Sequence, residues 1–189
     1  QGYELFATGE MGIGNTTTSS AICAVMLEQS VEKVTGKGAG LTSAALLHKI
    51  EVIKESIALN KPDKNDPLDV LSKVGGLDIA GLVGVYIGCA YYKRAVFVDG
   101  FISSVAALLA TRLAPACKDY IFPSHCSNEP AGHMVLEAMD MQPYILCNMC
   151  LGEGTGAVMG FTICDYAMTA YHQLPSFEDT KFGTYEPLD

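Results

Sequence analysis

Basic residues are scarce in this chain. Only 12 Lys and Arg stand against 21 Asp and Glu over 189 residues, a formal net charge of −9. A nucleic-acid binder needs a basic surface to meet phosphates, so this balance argues against that class. An anionic small molecule is still compatible, because backbone N–H groups and one lysine can hold it. Long apolar runs are missing as well. The longest, Ile79 to Tyr92, is too short and too glycine-rich to span a bilayer and predicts a buried helix. No signal-peptide pattern is present. The chain opens Gln1-Gly2-Tyr3 without an initiator Met, which reads as a processed or excised segment with sequence missing upstream. There is no internal repeat and no low-complexity tract.

What is present suits a folded domain. Hydrophobic residues make up 49% and charged residues 17%, a composition able to bury a core in one domain of this length. The cysteines are odd in number and scattered: Cys23, Cys89, Cys117, Cys126, Cys147, Cys150 and Cys164. They read as reduced cytosolic thiols acting as small hydrophobes. Cys147 and Cys150 form a CxxC pair, but no second pair or suitably spaced histidines accompany it, so neither a metal nor a redox cofactor is expected.

The chain alternates strands, loops and helices. Tyr3 to Thr8 predicts a short strand that runs into Gly9-Glu10-Met11-Gly12-Ile13-Gly14-Asn15-Thr16-Thr17-Thr18 and then a helix. That arrangement can cradle a phosphate or can be a capped turn. It is not a Walker motif, since no Gly-Lys-Ser/Thr closes it. Glu10 would repel a phosphate and is better suited to hydroxyls or a neighbouring cation. Thr35-Gly36-Lys37-Gly38-Ala39-Gly40 is a second glycine loop, after which Thr42 can cap a helix. Leu46, Ile50, Ile53 and Ile57 form that helix's buried stripe, and Lys49 lies beside it, the place of a snorkelling surface lysine. Asp66-Pro67 starts a short helix that stops at Gly75-Gly76. The next helix carries Ala80, Gly81, Gly84 and Gly88 as a small-residue face for close packing.

Arg94 to Val98 reads as a strand buried on both faces, and Asp99-Gly100 follows where open α/β sheets bind ligands. A helix over about 101–113 and a brief strand at Tyr120 to Phe122 lead to Pro123-Ser124-His125-Cys126-Ser127-Asn128-Glu129-Pro130. That loop could complete an anion site or be a well-capped turn. Adjacent residues on one loop seldom face each other, so a Ser124–His125 nucleophilic pair is not expected. Leu151-Gly152-Glu153-Gly154-Thr155-Gly156-Ala157 then sets one carboxylate among three glycines ahead of a final helix that ends near Gln173. Glycines there permit close backbone approach, and a helix start presents free N–H groups. The predicted fold is α/β, a three-layer, mostly parallel sheet flanked by helices. Residues 1–174 form one domain and 175–189 a polar tail, with Glu10, Asp99 and Glu153 at one edge of the sheet.

Five of these segments, taken together, resemble the signature blocks of the nicotinate-nucleotide–dimethylbenzimidazole phosphoribosyltransferase family. They are Gly9 to Thr17, Lys73-Val74-Gly75-Gly76-Leu77-Asp78, Asp99-Gly100-Phe101-Ile102-Ser103, Ser124-His125-Cys126-Ser127 and Leu151 to Ala157. The resemblance implies a Rossmann-like fold, truncated relative to a longer family whose first half supplies a helical part and some of the sheet. It implies transfer of phosphoribose from nicotinate mononucleotide to a benzimidazole-type base, without metal or cofactor, in assembly of the cobalamin lower ligand. Glu153 falls on the family's catalytic base and Glu10 on its second glutamate. Gly12, Gly38, Lys49, Asp99, Gly100 and Ser127 are the expected phosphate and ribose contacts. The resemblance also implies a cytoplasmic homodimer that binds neither nucleic acid nor membrane. The alternative is a non-catalytic segment that binds nicotinate mononucleotide or phosphate.

Overall fold

The computed structural model describes residues 2–176 and 179–180. Most of the expected polar tail therefore lies outside the described residues. Among the described residues three strands, β1 (Leu5–Ala7), β2 (Ala95–Val98) and β3 (Ile121–Pro123), pair in parallel in the order β1-β2-β3. Phe6 lies opposite Val96, and Phe97 opposite Phe122. The α-helices that accompany them are α1 (Asn15–Met26), α2 (Val31–Val34), α3 (Ser43–Asn60), α4 (Pro67–Val74), α5 (Leu77–Tyr91), α6 (Gly100–Leu113), α7 (Gly132–Ala138) and α8 (Thr155–Gln173). The α/β class and the parallel sheet are as the sequence pattern requires.

The continuous apolar run of β2 has a simple cause. Successive side chains of a strand point to opposite faces, and here both faces are covered. Val96 and Val98 belong to the main core, on the side of α5 and α6. Phe97 points the other way, stacks on Phe122 at 5.4 Å between ring centroids and meets Phe161 of α8 edge-on at 5.0 Å. Gly160 of α8 makes this approach possible, since a β-carbon there would stand 2.8 Å from the Phe97 ring.

Helix α6 is the centre of the larger layer. Every residue from Gly100 to Ala110 is buried, so it is enclosed all round and, apart from Ser103 and Ser104, apolar, as suits a central helix. It packs on α1, α4, α5 and α7. The helix starts follow local chemistry. Thr42 accepts the Ala45 amide at 3.2 Å, and Asp66 accepts those of Leu68 and Asp69 ahead of Pro67 in the first turn of α4.

Four expectations change. Helix α5 is buried on one side only: Ile79, Val83 and Tyr86 face the core, while Leu77, Tyr91 and Tyr92 are exposed. Its glycine face packs on nothing among the described residues, because β-carbons at Gly81, Gly84 or Gly88 would meet no atom within 4 Å. The strand expected from Tyr120 begins at Ile121, since Tyr120 closes a 3-10 turn over Pro115–Tyr120. Lys49 is not a snorkelling surface residue. Its side chain is buried at 6% exposure.

One buried polar cluster ties α5 to the sheet. The Tyr86 hydroxyl lies 2.8 Å from Thr8 Oγ1 and 3.0 Å from the Ser103 carbonyl, and Thr8 Oγ1 lies 3.1 Å from the Phe97 carbonyl. Two hydroxyl hydrogens thus serve three contacts, and burial pushes the Tyr86 phenol above its ordinary pKa. Tyr86→Phe removes a hydroxyl from this cluster and should lower unfolding stability by about 1–2 kcal/mol. Urea denaturation with an unchanged m-value is the check.

Candidate active site

The carboxyl ends of all three strands open onto one cleft of ≈ 310 Å³. Glu10 and Gly12 reach it from the loop after β1, Asp99 and Gly100 from the end of β2, and His125, Ser127 and Glu129 from the loop after β3. Gly38 comes from the second glycine loop and Glu153 from the loop before α8. Among the expected site residues, Lys49 alone does not line the cleft.

Asp99 organises this edge. It is 2% exposed and stands at the start of α6, yet its carboxylate serves another helix. Oδ2 accepts the Gly154 amide at 3.0 Å, and Oδ1 accepts those of Gly156 and Ala157 at 2.7 and 3.3 Å. These are the free N–H groups at the start of α8. The helix end expected to meet a ligand anion is therefore filled by the protein's own carboxylate. Asp99 positions the Glu153 loop instead of offering both oxygens to a ribose.

The loop itself is built from backbone conformations that side chains resist. Gly152, Glu153 and Gly154 have φ of 83°, 59° and 85°. Glycine adopts such values freely, but a non-glycine residue is rarely found there. Glu153 is held by its amide, which donates to the Glu10 carbonyl at 3.2 Å. Gly9 seats the loop from below, since a β-carbon there would stand 2.3 Å from the Gly154 nitrogen. The result is an exposed Glu153 side chain on a fixed backbone at the rim. Glu10 is fixed as well: Asn15 Nδ2 donates to its Oε2 at 2.8 Å and to Asp78 Oδ2 at 2.6 Å.

Lys49 acts one layer back. Its ammonium donates to Thr16 Oγ1 at 2.9 Å and to the Gly36 carbonyl at 3.0 Å. Burial pushes its pKa down, and the Glu129 carboxylate opposes that shift. Thr16 lines the cleft, and because its oxygen accepts from Lys49, its own hydrogen is free to donate inward. Ser127 is similarly poised, since its oxygen accepts the Glu129 amide at 3.2 Å. The Gly38 amide is already engaged by Glu129 Oε1 at 3.0 Å.

Sequence reasoning passed over Thr16, Glu129 and His125. Thr16 and Glu129 sat inside segments already singled out, but nothing in their spacing separated them from capping residues. His125 was discounted because it follows Ser124 directly. The structure nevertheless sets Ser124 Oγ 3.1 Å from His125 Nδ1, with Asp99 Oδ1 at 3.6 Å from the same nitrogen. This is not a hydrolase triad, in which the nucleophile's hydroxyl lies on the nitrogen opposite the carboxylate. Of the CxxC pair, Cys150 lines the cleft and receives the Asn128 side-chain amide at 3.1 Å. Both cysteines are exposed, against the expectation of small buried hydrophobes, while Cys23, Cys89 and Cys117 are buried as expected.

Comparison with known proteins gives a consistent picture. A family profile described as phosphoribosyltransferase matches residues 1–182. The nicotinate-nucleotide–dimethylbenzimidazole phosphoribosyltransferase of Ruminiclostridium cellulolyticum is 50% identical over 189 residues, covering 100% of this chain and 54% of its own length. The protein of the same name from Clostridium acetobutylicum is 49% identical over 188 residues, covering 100% of this chain and 53% of its own. The crystal structure of CobT from Thermus thermophilus superposes with a TM-score of 0.87 at 34% identity, over 94% of this chain and 53% of that one. The chain spans about half the length of the curated relatives it matches.

Two outcomes follow from the site geometry. Asp99→Asn removes a charge-assisted anchor for three amides, and should lower stability by about 2–3 kcal/mol in urea unfolding. Burial also lowers the His125 pKa below its usual 6.5, with Asp99 opposing the shift. The unfolded chain then binds the proton more tightly. The His125 contribution is complete above about pH 6.5 and is lost as pH falls towards the depressed folded value. Melting temperature followed from pH 7.5 to 5 should fall less steeply in His125→Asn than in the parent.

Proposed function

The chain belongs to the nicotinate-nucleotide–dimethylbenzimidazole phosphoribosyltransferase family, and on that premise we propose that this cleft transfers phosphoribose from nicotinate mononucleotide to a benzimidazole-type base. The products are an α-ribotide and nicotinate, a step in assembling the cobalamin lower ligand. The observation that carries this reading is Glu153: a carboxylate carried on a left-handed backbone, itself fixed at the rim of a cleft that five distant loops line together.

The chemistry suits the residues. A ring nitrogen of the base attacks the ribose C1′ from the face opposite nicotinate. The new N–C1′ bond forms as the bond to the pyridinium nitrogen breaks, and its electron pair neutralises the pyridinium, so the leaving group needs little acid help. The proton on the attacking base passes to the Glu153 carboxylate, the role of a general base. Glu10, braced by Asn15, is the second catalytic carboxylate. It stands on the same loop as Gly12, which offers close backbone approach at φ of 81°.

Phosphate and ribose are held largely by neutral donors. Four carboxylates, Glu10, Asp99, Glu129 and Glu153, line the cleft, and no Lys or Arg does so among the described residues. The Thr16 and Ser127 hydroxyls, beside Gly12 and Gly38, are the phosphate donors. Lys49 supplies its positive charge through Thr16, and Gly100 leaves room for the ribose. The same reading carries a cytoplasmic homodimer. The outer face of α8 supports a covering partner, because Ile163, Tyr166 and Tyr171 are exposed there.

Glu153→Gln keeps size and hydrogen bonding but cannot take the proton. Nicotinate release followed by chromatography should fall by about 10²–10⁴-fold, while calorimetry shows nicotinate mononucleotide binding within about threefold of the parent, on the order of 0.7 kcal/mol. Turnover that survives in a folded, nucleotide-bound variant would remove Glu153 from the role of base.

A further inference from the structure

His125 has no part in the reaction just described, yet its surroundings are unusually specific. The residue is 3% exposed. Ser124 Oγ donates its one hydrogen to the Val98 carbonyl at 2.6 Å. The 3.1 Å contact between that oxygen and His125 Nδ1 therefore needs a hydrogen on the ring nitrogen. Asp99 Oδ1, at 3.6 Å from the same nitrogen, favours the same arrangement. Geometry thus assigns the Nδ1–H tautomer and leaves a lone pair on Nε2. Gly156 crowds the Nδ1 side, since a β-carbon there would stand 2.1 Å from that nitrogen. Nε2 lies instead beside Gly100, 3.9 Å from where its β-carbon would be, and Gly100 and His125 both line the cleft. Among the described residues Nε2 has no hydrogen-bond partner. The atom is not enclosed by protein, so its lone pair is open to the cleft, where a ligand can supply the hydrogen.

We infer that His125 is a substrate-contacting residue of this cleft, and that its Nε2 accepts a hydrogen bond from a ribose hydroxyl of the bound nucleotide. This inference rests on the nucleotide reading above. The ligand's charges select the hydroxyl. Phosphate and the nicotinate carboxylate offer lone pairs and would face the Nε2 lone pair unfavourably, whereas ribose hydroxyls carry hydrogens. Depth selects it as well, because His125 is buried at the floor beside the end of β2, while Glu153, the acceptor for the incoming base, is exposed at the rim. Burial keeps the imidazole neutral, so it accepts instead of adding a cation to the site.

The test compares nicotinate mononucleotide with its 2′-deoxy and 3′-deoxy analogues by calorimetry. In the parent, at least one analogue should bind about tenfold more weakly. His125→Asn keeps an amide donor where Nδ1 stood but has nothing at the Nε2 position. It should lose about tenfold in affinity for the ribonucleotide and bind that analogue equally well. His125→Gln, whose carbonyl oxygen reaches the Nε2 position, should recover part of the discrimination. A second readout needs no variant: saturating nucleotide should shift the ¹⁵N resonance of His125 Nε2 and leave Nδ1 protonated. A parent that binds the nucleotide without discriminating the analogues overturns the inference. So does discrimination retained in His125→Asn, or an Nε2 resonance that nucleotide leaves unmoved. A parent that binds no nicotinate mononucleotide at all overturns the functional reading itself.

Discussion

The Asp99 carboxylate holds the working edge of this protein together. It leaves the end of the central strand β2, yet it caps α8, a helix that begins 55 residues or more further along the chain. Burying an ion is unfavourable unless hydrogen bonds and charge offset it. Here three amides and the positive end of a helix do so. In exchange, the loop that carries Glu153 acquires a fixed position relative to the sheet. The Gly156 amide and the His125 imidazole meet the same oxygen, so strand, helix and post-β3 loop converge on one atom.

The glycines around Glu153 answer two different demands. Gly152 and Gly154 satisfy the backbone, since both have positive φ. Gly9 and Gly156 satisfy space, one against the Gly154 backbone and the other against His125 and Asp99. Glu153 is the exception: it bears a side chain in a left-handed conformation, and its neighbours over-determine that conformation through the Glu10 carbonyl. Such local strain is tolerated where a side chain has to point in one direction. The rim of the cleft, where Glu153 stands, is such a place.

The cleft is electrostatically unusual for a site proposed to hold a nucleotide. Its lining is acidic, and Lys49, which donates to Thr16, is buried behind that residue. Glu129 partly balances that ammonium and also holds the Gly38 amide. Hydroxyl groups are therefore the neutral donors that the lining offers, with a buried charge beside one of them. The apolar surface has a related logic. One layer is closed around α6, whereas the outer sides of α5 and α8 expose large apolar residues, in a chain that spans about half the length of its relatives.

Local chemistry alone determined a good deal. The unbroken apolar run of β2 announced a strand covered on both faces, and Thr42, Asp66 and Pro67 marked helix starts because capping is a matter of neighbouring residues. Glycine clusters at strand ends marked the loops that meet at one edge, since few other residues accept those backbone angles. Only the folded chain decided the rest. The partners of a buried group come from distant segments, and no local pattern encodes them. Thus Lys49 turned inward to Thr16 and Gly36, Asp99 became an anchor for α8, and the α5 glycines faced outward. Ser124 and His125, adjacent in sequence, met at Nδ1 because the Val98 carbonyl and the Asp99 carboxylate fix both side chains from another strand.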